Sequence, residues 1–66
     1  MNLQKLKGKL VEQKANYSET ANNLGLSVTA FSNKMNGKSK FYIDEIEKLS
    51  KQLNLSDAEK IDIFLS

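Results

Sequence analysis

The side chains of this 66-residue sequence that could do chemistry are mostly lysines, and the chemistry that they offer is anion binding. All ten basic residues are Lys. Residues 1–40 carry seven Lys against two acids, a net charge of +5, whereas residues 41–66 carry three Lys against six acids, a net charge of −3. Because a basic half attracts polyanions, this asymmetry points to a negatively charged partner on one side of the molecule.

Catalytic chemistry, in contrast, is not expected. The chain has no His to act as a general base and no Cys to act as a nucleophile or zinc ligand. Ser and Thr are plentiful, but no base or oxyanion constellation accompanies them. We therefore expect no enzyme activity, no metal, no cofactor and no small-molecule ligand. No apolar run approaches the length of a signal-peptide core or a membrane span, so we also expect a cytoplasmic location without membrane contact.

Helical apolar spacing runs through the whole chain, and no segment alternates for long enough to predict a strand. The pattern predicts a single all-α domain over residues 1–66, built from five short helices. These helices are expected at about residues 2–14, 19–24, 28–35, 44–53 and 57–65. The apolar side chains expected to face inward on the first and fourth helices are Leu3, Leu6, Leu10, Val11, Ile46, Leu49 and Leu53.

The most informative stretch covers residues 17–37, YSETANNLGLSVTAFSNKMNG. Ala21 is followed by Gly25 four residues later and by Phe31 six residues after that. Two helices that cross through a short turn need a small residue at the crossing, a glycine with positive φ in the turn and apolar residues between them. The expected N-caps of these two helices are Ser18 and Ser27.

Together with the basic half, this stretch resembles the helix-turn-helix of the Cro/repressor-type (Xre-like) regulators of phages and bacteria. The resemblance covers about residues 3–65 and is densest over residues 17–41. The string FSNKMNGKSKF looks especially like small Cro-like proteins from phages and mobile elements of Gram-positive bacteria. The resemblance implies a lambda-repressor-like DNA-binding fold with the helix-turn-helix at about residues 18–36.

The same resemblance implies that the helix beginning near Val28 lies in the DNA major groove. Base contacts are implied for Val28, Thr29, Ser32 and Asn33. The Asn33 amide can pair with adenine, and the chain has no Arg, the commonest reader of guanine, so we expect half-sites that lean to A·T. Phosphate contacts are implied for Asn16, Tyr17, Ser18, Ser27, Lys34, Asn36, Lys38 and Lys40.

Several residues of this pattern carry open alternatives. Tyr17 could pack against the first helix instead of binding phosphate. Lys34 stands where the family usually keeps an apolar residue, so it either points toward the DNA backbone or lays its stem over the core with its ammonium in water. Lys38 and Lys40 could be solvated loop charges.

The sequence also departs from the family at an ion pair. Many members pair an Arg in the first helix with a Glu just before the Asn-Gly. Here those positions are Leu10 and Met35, both apolar. Because apolar residues can replace a buried ion pair without loss of stability, we interpret the paired change as compensated.

The C-terminal segment holds more apolar side chains than a core of this size needs: Ile61, Ile63, Phe64 and Leu65. Some of them must close the core, and we expect the exposed remainder to form a two-fold dimer interface, as is typical of the family. The half-sites of a palindromic operator would then lie about one helical turn apart.

The leading hypothesis from the sequence is a sequence-specific DNA-binding transcriptional regulator, either Cro-like or a minimal repressor. It would act as a homodimer by occupying an operator in double-stranded DNA. An alternative from a different class is a helical protein-interaction module or antirepressor on the same fold, with the acidic residues 41–66 as its binding face. An excisionase-like architectural role is a third possibility.

Overall fold

The computed structural model describes residues 1–65, and these form five helices and no strand. The helices are α1 (Leu3–Glu12), α2 (Tyr17–Asn23), α3 (Val28–Met35), α4 (Ile43–Gln52) and α5 (Asp57–Phe64). The all-α prediction is confirmed, and α3 begins and ends at the predicted residues. None of the five helices in this described range is long and apolar enough to cross a membrane.

Polar side chains set where the helices begin. The Ser27 hydroxyl accepts a hydrogen bond from the backbone N–H of Ala30 at 3.1 Å and caps α3 as predicted. At α2 the prediction is wrong, because Asn16 and not Ser18 is the N-cap. The Asn16 side-chain oxygen accepts from the backbone N–H of Glu19 at 2.7 Å. Asn caps a helix as well as Ser does, so the helix begins two residues earlier than expected and Ser18 lies within its first turn.

Four helices end in the same type of hydrogen-bonded turn, in which one residue takes a positive φ. In α2 the backbone N–H of Leu26 donates to the carbonyl of Ala21 at 2.9 Å, and in α3 that of Lys38 donates to the carbonyl of Asn33 at 2.9 Å. The predicted ends of α2 and α3 are therefore confirmed. The residues with positive φ in the four turns are Lys14, Gly25, Gly37 and Asn54.

The core takes side chains from every helix: Leu6, Leu10, Ala21, Leu24, Phe31, Met35, Phe41, Leu49, Leu53, Ile63 and Phe64. Leu10 and Met35 are both fully buried, as expected for an apolar replacement of an ion pair. Val11, in contrast, is exposed, so its expected place on the inner face of α1 is wrong. It lies about 100° around the helix from Leu10, which takes it off the buried stripe.

A chain of four aromatic rings ties the helices together. Edge-to-face contacts join Tyr17 to Phe31, Phe31 to Phe41 and Phe41 to Phe64, with ring centroids 5.0, 6.2 and 6.3 Å apart. These rings come from α2, α3, the α3–α4 loop and α5 in turn. Since aromatic pairs of this geometry have a preferred orientation, the chain fixes how α3 is seated on the rest of the domain.

Candidate nucleic-acid interface

A tight turn joins α2 to α3, and Gly25 is the residue that makes it possible. Gly25 has φ +73, and a Cβ built on it would have no atom within 4 Å. The need for glycine is therefore conformational and not steric. Ala21 is buried, and α2 packs directly against α3.

The rotation of α3 about its own axis is set by its buried side. Phe31, Lys34 and Met35 point inward. On the opposite side, five positions fall within an arc of about 140°, since each residue advances the helix by about 100°. We call this surface the α3 face; it consists of Val28, Thr29, Ser32, Asn33 and Asn36. All four residues that are predicted to read bases belong to it.

The α3 face combines an exposed apolar side chain with polar side chains that form few hydrogen bonds within the protein. Val28 is 48% exposed. The Asn36 amide donates to the Ser32 hydroxyl at 3.4 Å and accepts from the Lys7 ammonium at 3.3 Å. The side chain of Asn33 makes no hydrogen bond within residues 1–65, so both its carbonyl and its NH₂ group are free to meet a ligand.

Three lysines around the C-terminal end of α3 carry charges that no acid cancels. Lys7, Lys38 and Lys40 form no ion pair with any residue that the structure describes. The chain between Glu19 and Asp44 contains no acidic residue at all. Of the lysines elsewhere, Lys5, Lys9 and Lys60 pair with Asp62, Glu59 and Glu47. Lys14, Lys48 and Lys51 have no such partner among the described residues.

Two of these ion pairs shift the pKa values of three residues, Lys9, Glu59 and Glu47, and none of the three is on α3. The hydrogen bond from the Lys9 ammonium, together with the backbone N–H of Ser56, lowers the pKa of Glu59 to about 2. The same contact raises the pKa of Lys9. The Lys60 ammonium lowers the pKa of Glu47. A lysine that is paired in this way has to give up its acidic partner before it can bind a phosphate.

Lys34 is the predicted phosphate ligand that the structure removes from the surface. Its ammonium forms an ion pair with Glu45 at 2.7 Å and donates to the carbonyl of Lys40 at 3.0 Å. The side chains of Lys34 and Glu45 are only 8% and 6% exposed. Both sequence-based placements of Lys34, toward a phosphate or with its ammonium in water, are therefore wrong. Glu45, on the next helix, provides the counter-charge that a buried lysine requires.

The predicted phosphate ligands around α2 and at the start of α3 have other roles in the free protein. The Asn16 and Ser27 side-chain oxygens are used as helix caps. Tyr17 is half-buried, and its ring packs edge-to-face against Phe31 of α3. Ser18 is exposed. Their phosphate contacts stay predictions.

The C-terminal apolar residues divide between core and surface. Ile63 is completely buried and closes the core, so the expectation that it forms part of a dimer interface is wrong. Phe64 is 8% exposed and packs in the core but also lines the groove described next, and its interface role stays a prediction. Ile61 and Leu65 are 56% and 78% exposed. Together with Ile43, which is 80% exposed, they line an apolar groove of about 250 Å³ between α4 and α5.

Two surface residues are missed by the sequence reasoning. Lys7 joins the α3 face only because α1 packs beside the turn after α3, where Leu3 lies 3.5 Å from the position of a Cβ on Gly37. The sequence signal for this is weak: Lys7 is four residues after Leu3 and so borders the buried stripe of α1. Ile43 is apolar, but its position at the first turn of α4 leaves it in the open.

The described part of the chain contains no cluster of three or more His, Cys, Asp or Glu side chains that could hold a metal ion.

The architecture of the chain defines the class of protein as a small all-α domain of five helices. Residues 1–65 match the family described as "Protein of unknown function (DUF739)", and the chain therefore belongs to the DUF739 family. Comparison with curated proteins and with solved structures gives no significant match.

Proposed function

We propose that this protein is a sequence-specific DNA-binding regulator that reads an operator with the α3 face. The observation that carries the proposal is the Asn33 side-chain amide, which makes no hydrogen bond within the described residues and lies in a stretch of chain, residues 20–43, without an acid. Three lysines without ion pairs accompany it: Lys7, which donates to Asn36, and Lys38 and Lys40, which follow α3. A side-chain amide can donate to and accept from adenine in a bidentate pair. Val28 and the Thr29 methyl group are apolar partners for a thymine methyl, which again favours A·T-leaning half-sites.

The lysines beside the α3 face supply the part of the affinity that does not depend on sequence. Lys7, Lys38 and Lys40 would bind backbone phosphates and release counterions, while Asn36 would fix the register of the helix. Lys7 thus takes the place that the sequence reasoning gives to Lys34.

We also propose that the protein binds DNA as a homodimer and acts by occupying the operator. The exposed apolar groove, defined by Ile43, Ile61 and Leu65, is the surface that a second copy would cover. A two-fold dimer matches a palindromic operator, and its half-site spacing follows from the distance between the two α3 faces. A regulator of bacterial or phage DNA would work in the cytoplasm.

The direct test is a selection of bound sequences from a random DNA pool, followed by mobility-shift assays on the selected duplex. Each good bidentate contact is worth about 1–3 kcal/mol, so we expect Asn33→Ala to weaken binding at least about fivefold. Asn22→Ala is the control, because Asn22 is also a helical asparagine but lies on α2; it is exposed, whereas Asn33 is half-buried. Selected sites that are G-rich under the α3 face would contradict the A·T expectation, and a folded protein that binds no DNA at low salt would contradict the proposal itself.

The dimer is tested separately by sedimentation equilibrium. Burying an exposed Ile side chain stabilises an interface by about 1.5–3 kcal/mol, so we expect Ile61→Ser to raise the dimer dissociation constant at least about tenfold. Val11→Ser is the control, since Val11 is also apolar and exposed but belongs to α1. Equal effects of the two substitutions would show that the α4–α5 groove is not the dimer surface.

One observation favours a second candidate, a protein-interaction module that does not bind DNA. The same groove exposes large apolar side chains on the acidic half of the chain, and such surfaces mark protein contacts. A protein that folds, fails to shift DNA at low salt and requires Ile61 to bind another protein would support this candidate over the first.

A further inference from the structure

The buried Lys34–Glu45 pair calls for an explanation other than stability. Two well-packed apolar side chains usually stabilise a core as well as a buried ion pair does. The ammonium of Lys34 also lies 4.3 Å from the centre of the Tyr42 ring, so its positive charge faces a carboxylate, a carbonyl and an aromatic face at once. These groups all belong to the chain that follows α3.

The Lys34–Glu45 pair holds one end of the segment between α3 and α4 in place. At the start of the segment, the backbone N–H groups of Gly37 and Lys38 close the end of α3. At its other end, the carbonyl of Lys40 accepts from the Lys34 ammonium at 3.0 Å, and the N–H of Tyr42 donates to Glu45 at 2.8 Å. The side chains of residues 36–40 between these anchors are all exposed. Packing holds the segment at Phe41, the residue that follows Lys40, whereas the exposed residues 36–40 are placed by the backbone bonds.

We propose that Lys34 and Glu45 are positioning residues for phosphate binding. They hold the loop of residues 37–40 so that the side chains of Lys38 and Lys40 stand beside the α3 face. A flexible loop would have to be ordered when DNA binds, at an entropic cost that the preformed loop avoids. This inference rests on the proposed DNA-binding function and deepens it.

The test replaces the pair by apolar residues in Lys34→Met/Glu45→Leu, which removes both loop anchors without leaving an unpaired buried charge. In the free protein, ¹⁵N relaxation and amide exchange of residues 38–42 should show a more mobile loop, while the core amides of α3 keep their protection. Should this variant not fold, Lys34→Met/Glu45→Gln keeps an acceptor for the Tyr42 N–H and removes only the bond to Lys40. Unchanged loop amides in the folded variant would overturn the proposal.

The second readout is the salt dependence of binding to a short mixed-sequence DNA duplex. The slope of log Kobs against log[salt] should become shallower by about 0.9 for each lysine–phosphate contact that is lost. The double variant Lys38→Gln/Lys40→Gln gives the slope expected when both lysine–phosphate contacts are lost. Adding the Lys34/Glu45 substitutions to that variant should change the slope no further. Additive slopes would overturn the positioning role, because they would show that the pair does not act through the two lysines. If the folded wild-type protein does not bind the duplex at low salt, the proposed function is wrong; the amide measurements need no DNA and still decide whether the pair orders the loop.

Discussion

The salt dependence of DNA binding can be worked out from which lysines lack an ion pair. Lys7 donates to Asn36 of the α3 face, Lys38 and Lys40 follow α3 in the chain, and none of the three has an acidic partner among the described residues. If each binds one phosphate, a homodimer makes about six such contacts, and the slope of log Kobs against log[salt] is about −5. Raising the salt from about 50 to 200 mM should then weaken binding about a thousandfold.

The perturbation that tests this number is Lys38→Gln. It removes two contacts from a dimer, so the slope should become shallower by about 1.8. Fluorescence anisotropy of a labelled duplex, titrated at several salt concentrations, measures the slope directly. The matched control is Lys48→Gln, because Lys48 is also exposed and without an ion pair in the described chain but lies on α4.

The comparison of the two variants decides whether the α3 face is the interface. Both substitutions lower the net charge of the protein by the same amount, so a long-range effect of total charge would change both slopes equally. A local contact would change only the slope of Lys38→Gln. Equal slopes in the two variants would refute the assignment of the interface, even if the wild-type protein binds DNA.

Two further predictions concern the stability of the fold. Gly8 lies on the exposed side of α1, where an added Cβ would have no atom within 4 Å, so Gly8→Ala should stabilise the protein by about 0.8–1 kcal/mol in urea denaturation. An added Cβ on Gly25 also has no atom within 4 Å, but Gly25 has a φ of +73, so Gly25→Ala should destabilise the protein by about 1–2 kcal/mol. Changes in stability of the same sign in the two variants would contradict this reasoning. The pKa of Glu59 is about 2 against an ordinary value of 4.5, so its contribution to stability is present above pH 4.5 and is lost as the pH falls toward 2. Lys9→Met should move the NMR titration midpoint of the Glu59 carboxyl back toward its ordinary value, and an unchanged midpoint would show that Lys9 is not the cause.

The parts of the fold that the sequence predicts are those with local causes. The bounds of α3 follow from Ser27, which caps its first turn, and from Gly37, which takes φ +79 at its end. The turn at Gly25 is local in the same sense, because its positive φ depends only on neighbouring residues. The α2 cap is not predictable in this way, because Asn16 and Ser18 are equally good caps and local preference cannot choose between two such neighbours.

The parts that the sequence does not predict depend on which elements meet in space. Local pattern places Lys34 at the surface because its partner, Glu45, lies on another helix and is brought close only when the α3–α4 loop folds back. Lys7 reaches Asn36 across 29 positions of sequence, through the packing of α1 beside the end of α3. In both cases the helix is predicted correctly, and the error lies in the tertiary partner of the side chain.

The difference in charge between residues 1–40 and residues 41–66 also has to be judged from which side chains meet in the fold. Counted along the chain, the basic and acidic halves differ by eight charges, from +5 to −3, which suggests a strongly dipolar molecule. In the fold, three lysines of the basic half are paired with acids of the acidic half: Lys5 with Asp62, Lys9 with Glu59 and Lys34 with Glu45. Of the six lysines left without an ion pair among the described residues, Lys38 and Lys40 directly follow α3, and Lys7 donates to Asn36 at the end of that helix. Because exposed charges are screened beyond about 8 Å at physiological salt, this local surplus, and not the difference between the halves, is what a polyanion would meet.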